Sequence, residues 1–136
     1  MAKKILVVDD EPDIREILRE FFQEYGYEVT TAGNGDEALE ILGRESIPVM
    51  FLDLNLPGMN GLELCRRIRP QHPKARIYAL TGYHRQFTPT SAREAGFTNY
   101  FTKPVDLRVL RRAANGAVEA VNGANPAGGG PGPSPR

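Results

Sequence analysis

An α/β fold with a parallel sheet covered on both faces is predicted for this 136-residue chain. Strand and helix signals alternate five times, and the strand segments are near-continuous apolar runs. Such runs are what burial on both faces of a parallel sheet demands. In addition, two of the runs end on acids: Asp9 and Asp10 follow ILVV, and Asp53 follows VMFL. Acids there would stand at the sheet's C-terminal edge, where open α/β sheets build their sites.

The elements follow in order. Residues 4–9 read as a buried strand. Pro12 opens a helix in which Ile14, Ile17, Leu18, Phe21, Phe22 and Tyr25 recur at helical spacing. Arg15, Arg19 and Glu20 fall elsewhere on its surface, and Gly26 is a natural stop. Tyr27–Thr31 reads as a strand, and Asp36–Leu42 as a helix introduced by Asn34 and Gly35. Val49–Asp53 is a strand, and Leu62–Ile68 a helix after the loop LPGMNG. Ile77–Thr81 is a strand, Pro89–Ala95 a short helix and Asn99–Phe101 a short strand. Leu107, Leu110, Ala114, Ala117, Val118 and Val121 form the stripe of the last helix, weakened by roughly 1 kcal/mol at Gly116. From 123 to 136, GANPAGGGPGPSPR has no hydrophobic periodicity, so a disordered tail is expected after a domain spanning 1–122.

Composition narrows the function classes. Seventeen Lys plus Arg balance seventeen Asp plus Glu, so no global field recruits nucleic acid or membrane. Apolar runs stop at about four residues, far below a membrane span. One cysteine, Cys65, excludes an internal disulfide, reads as a small buried hydrophobe and fits a reducing cytoplasm.

Three acids converging at one sheet edge would repel by about 1 to 4 kcal/mol per pair at ~4 Å. Either they lie apart, or one is protonated, or a hard cation sits between them. Thr81 ends the fourth strand and Lys103-Pro104 follows the fifth, so a hydroxyl and an ammonium share that edge. Phosphoryl transfer asks for such a set: a cation held by carboxylates, a carboxylate nucleophile and donors for phosphoryl oxygens. Taken singly, each residue has an ordinary explanation. Asp10 could cap a helix, Asp53 form a turn, Lys103 be a solvated lysine and Tyr100 a core aromatic.

In combination, VVDDEPDIRE, FLDLNLPGMNGLEL, ALTGY and EAGFTNYFTKP closely resemble the receiver domains of bacterial two-component response regulators. The resemblance covers residues 3 to about 121. It implies a flavodoxin-like, doubly wound (βα)5 fold with strand order 2-1-3-4-5. It also implies a phosphoacceptor switch rather than an enzyme, with at most self-catalysed phosphorylation and dephosphorylation. By the same resemblance Asp53 is the phosphoacceptor, and Thr81 and Lys103 contact the phosphoryl group. Asp10 and Asp53 bind Mg²⁺ directly, Asp9 does so through water, and Asn55 contributes its backbone carbonyl. Tyr100 is the switch aromatic that follows Thr81, Gly82 leaves the phosphoryl site open, and the Lys103–Pro104 bond is cis.

The implied partner is a histidine kinase or a histidine phosphotransfer protein. The face of the fourth helix, fifth strand and fifth helix can then bind a target or pair two receivers, with Arg93, Arg108, Arg111 and Arg112 as candidate lining residues. Action in trans without an output domain is expected; the alternative is the receiver part of a longer, for example DNA-binding, regulator. Some features depart from the family pattern. Pro89 starts the fourth helix late, Val105 replaces a frequent Phe, and Asn55 and Tyr83 occupy the positions that tune phosphoryl lifetime. Other classes fit less well. A haloacid-dehalogenase-type phosphatase wants an acid where Asn55 stands, a flavodoxin-like electron carrier wants a Ser/Thr/Gly-rich loop where DDEPD stands, and a receiver that is no longer phosphorylated would not keep the acid, Thr and Lys set.

Overall fold

The computed structural model describes residues 3–82 and 87–121. Among these, five parallel strands lie in the order β2-β1-β3-β4-β5, as expected. They are β1 Lys4–Val8, β2 Glu28–Ala32, β3 Val49–Asp53, β4 Arg76–Thr81 and β5 Asn99–Thr102. The helices are α1 Pro12–Gln23, α2 Gly35–Leu42, α3 Gly61–Ile68, α4 Pro89–Ala95 and α5 Leu107–Val121. The second strand runs one residue later than its apolar pattern indicates, because its pairing starts with Lys4 opposite Glu28. The expected tail, Tyr83 and the side chain of Val121 lie outside the described residues.

The two faces of the sheet carry separate cores, as the two-sided burial of the strands requires. Ile5, Val7, Val49, Phe51, Tyr78 and Leu80 pack with Leu18 and Phe22 of α1 and with Leu110, Ala114, Ala117 and Val118 of α5. On that face Phe22, Phe51, Tyr78 and Phe101 form a row with centroid spacings of 5.8, 5.5 and 5.6 Å. Leu6, Val8, Met50, Leu52, Ile77 and Ala79 face the opposite way, against α2, α3 and α4.

Local chemistry starts the helices. Asn34 accepts from the Glu37 amide and Asn60 from the Glu63 amide. Thr88 and Ser91 exchange bonds in a capping box ahead of Pro89. At α1 the cap position is Glu11, which makes no side-chain capping bond, with Pro12 next. Asp10 is therefore not the cap of this helix, and its carboxylate is left for other chemistry. Because β1 lies between β2 and β3, the chain direction reverses beside it, opening a crevice over the C-terminal ends of β1 and β3.

Candidate functional site

Strand register brings the acids together. Val8 pairs with Leu52, so Asp9 and Asp53 leave neighbouring strands at the same level. One carboxylate oxygen from each of Asp9, Asp10 and Asp53 lies within 4.8 Å of the others. Asp9 is fully buried and Asp53 is 6% exposed, whereas Asp10 is open to solvent.

The carboxyl groups of the two buried acids have specific partners. The amide of Glu11 donates to Asp9 Oδ1 at 2.9 Å, and the amide of Asn55 donates to Asp53 Oδ1 at 3.2 Å. Lys103 Nζ stands 3.4 Å from Asp9 Oδ2 and 3.5 Å from Asp53 Oδ2. Those distances exceed the 2.7–2.9 Å of a tight charge-assisted bond, so the ammonium bridges the acids without clamping either.

Two of the three carboxylates thus share one ammonium. Burial pushes the Asp53 carboxyl above its usual range and Asp9 adds to the push, while the Asn55 amide and Lys103 pull it back only in part. For Lys103, burial works against the charge, but the attraction of Asp53 and Asp9 outweighs it and raises the pKa. The ammonium therefore stays charged.

The acid set fits a hard divalent cation. All three donors are carboxylate oxygens, and opposite oxygens in a Mg²⁺ octahedron stand about 4 Å apart, close to the observed spread. The net negative charge left after Lys103 is what such an ion would compensate.

Thr81 reaches the same edge, since β3 pairs Asp53 with Leu80 and the Lys103 amide donates to the Thr81 carbonyl at 2.8 Å. Its hydroxyl donates to the Gly82 carbonyl at 3.0 Å and is not engaged with the acids. Among the described residues, a Cβ placed on Gly82 would meet nothing within 4 Å. The Lys103–Pro104 bond is cis. Tyr100 lies apart from the acids, half-buried and edge-on to Phe87 at 5.2 Å. Of the arginines, Arg108 pairs with Asp106 at 2.9 Å, and Arg111 lies 4.0 Å over the Tyr25 ring in the turn after α1.

Four contributors escape sequence reasoning. The Glu11 and Asn55 amides are backbone groups, and Phe87 meets Tyr100 only through tertiary packing. Gly61 is the fourth: a Cβ there would come within 2.5 Å of the Asp53 carbonyl, so only glycine lets α3 begin against the end of β3. Its place at the end of LPGMNG was the available signal.

The family described as response regulator receiver domain matches residues 5–115. The chain belongs to that family. This receiver is similar to Sporulation initiation phosphotransferase F of Bacillus subtilis (strain 168), 35% identical over 113 residues that make up 83% of this chain and 91% of that protein. A CheY-like receiver domain protein from Methanospirillum hungatei JF-1 superposes with a TM-score of 0.85 at 28% identity, covering 90% of the receiver and 98% of that chain. The response regulator TrrA of Thermotoga maritima, solved with Mg²⁺ and BeF, gives 0.76 at 38% identity, covering 86% and 99%. Among the described residues no helix is long and apolar enough to cross a membrane.

Proposed function

We propose that this receiver accepts a phosphoryl group from a phosphohistidine onto Asp53, and that the modification switches its binding to a partner. One Asp53 oxygen attacks phosphorus, the P–N bond to the donor imidazole breaks, and a P–O bond forms. The convergence of Asp53 with Asp9, Asp10 and Lys103 carries this reading. Asp9, Asp10, Asp53 and the Asn55 carbonyl would hold Mg²⁺, which when bound neutralises charge on the phosphoryl oxygens and on the acids. Lys103 supplies a mobile point charge to a phosphoryl oxygen, and its contacts with two acids keep it at the site. Thr81 needs only to exchange its bond to the Gly82 carbonyl for one to the phosphoryl group. Tyr100, free of the acid cluster and packed on Phe87, is suited to report that movement. The similar Thermotoga protein, which accommodates Mg²⁺ and BeF together, supports the paired requirement for metal and phosphoryl group.

The expected donor is a histidine kinase or a histidine phosphotransfer protein. Output in trans is read by analogy with the Bacillus phosphotransferase, 91% of which this receiver matches. Incubation with acetyl phosphate and Mg²⁺ should add one phosphoryl group, read by intact mass. Asp53→Asn, or chelation of the metal, should abolish the mass shift. An unchanged adduct on Asp53→Asn would refute the assignment of the phosphoacceptor.

A further inference from the structure

Asp9 is held at every polar group it has. Its amide donates to the Ala32 carbonyl at 3.1 Å, which extends the β1–β2 ladder by one residue. Its side chain is fixed by the Glu11 amide and Lys103. Its carbonyl accepts from Arg15 Nη1 at 2.7 Å, the shortest of these contacts. That carbonyl belongs to the peptide joining Asp9 to Asp10. Asp10 is exposed, so the direction of its carboxylate depends on the plane of the peptide before it.

Arg15 reaches this carbonyl from α1 and is half-buried there. Glycine at residue 33 leaves the guanidinium room there. A Cβ on Gly33 would come 3.2 Å from Arg15 Nη1 and 3.7 Å from Glu37 Oε1, and Glu37 in turn accepts from the Gly33 amide at 2.7 Å. Arg19, one turn along, makes no such link: it donates to the Val29 carbonyl and to Thr31 Oγ1, away from the acids.

We propose that Arg15 is a positioning residue for the acidic site: by clamping the Asp9–Asp10 peptide it preorganises the two carboxylates for a divalent cation. The proposal rests on the phosphoacceptor reading and identifies a residue outside the acid, Thr and Lys set. Groups that orient metal ligands typically govern affinity by 10- to 100-fold. The guanidinium suits the task because a rigid planar fork holds a carbonyl direction that a flexible ammonium holds less well.

The test is Mg²⁺ titration of the full chain by calorimetry at fixed ionic strength, together with the Mg²⁺ concentration for half-maximal labelling by acetyl phosphate. Arg15→Met should weaken Mg²⁺ by roughly tenfold, with the labelling rate at saturating Mg²⁺ returning to that of the native chain. Arg15→Lys should recover part of the loss, and Arg19→Met should leave the affinity unchanged. Gly33→Ala, which crowds the guanidinium without removing it, should weaken Mg²⁺ in the native background and add nothing to Arg15→Met. If Arg15→Met fails to fold, the Gly33→Ala and Arg15→Lys measurements carry the same test.

Native-like affinity in a folded Arg15→Met chain would overturn the proposal while leaving the phosphoacceptor reading intact. Equal losses in Arg15→Met and Arg19→Met would also overturn it, because bulk charge would then suffice. A native chain that binds no Mg²⁺ would overturn both.

Discussion

At the scale of single residues, burial decides which groups react. Cys65 is fully buried in α3, and burial pushes its thiol up to about 12. Since the thiolate is the nucleophile, alkylation at pH 8 should run on the order of a thousandfold slower than for a free cysteine near 8.5, and should recover in denaturant. A timed iodoacetamide reaction read by mass checks this. The sign for stability follows: the folded thiol holds its proton more tightly than the unfolded one. Its contribution is therefore complete below about pH 8.5 and is lost as pH climbs toward 12. Asp53 sits under the same burial but beside Lys103 and two further acids, which is why one buried group is inert and the other is a candidate nucleophile. Residue types and spacing suffice to nominate Asp9, Asp10, Asp53, Thr81 and Lys103. They do not disclose that Thr81 turns its hydroxyl to its neighbour's carbonyl, because that choice depends on local backbone direction.

At the scale of elements, α4 is short and fastened unequally. Its N-terminal end rests on the Thr88–Ser91 capping box, whereas its C-terminal end is tied to the turn after α3 through Arg69. Arg69 Nε and Nη2 donate to the Gly96 carbonyl at 3.0 and 2.6 Å, and Nη1 donates to the carbonyls of His72, Pro73 and Ala75. Replacing Arg69 by Met leaves these acceptors without that donor and should cost about 2 kcal/mol, measurable by urea unfolding. The opposite sign is expected in α5. Gly116 lies within the helix, and among the described residues a Cβ there meets nothing within 4 Å, so Gly116→Ala should stabilise by about 0.5–1 kcal/mol in the same assay. Both effects involve residues visible in the chain, yet only the glycine's was legible. A helical glycine has a local cost, while the value of Arg69 comes from carbonyls up to 27 residues away.

At the scale of the whole molecule, the site joins the ends of strands far apart in sequence, so a cation bound there would be linked to folding. A cation that binds only the assembled acids stabilises by about 2.7 kcal/mol at a hundredfold excess over Kd. Thermal melts of the native chain should therefore rise with Mg²⁺, while those of Asp10→Asn should rise much less, since Asp10 is exposed and supplies little to the apo fold. Equal rises in both would remove Asp10 from the ligand set. The alternation of apolar runs and helical stripes determined the parallel sheet, its two covered faces and the edge on which the acids end. Those features follow from periodicity and from which residues can be buried, both of which are written locally. Tertiary structure alone decided the register that sets Asp9 level with Asp53, the bridging position of Lys103, and the Arg15 clamp on the Asp9 carbonyl. Distances between groups from different strands depend on how the sheet twists and packs, and no stretch of neighbouring residues encodes that.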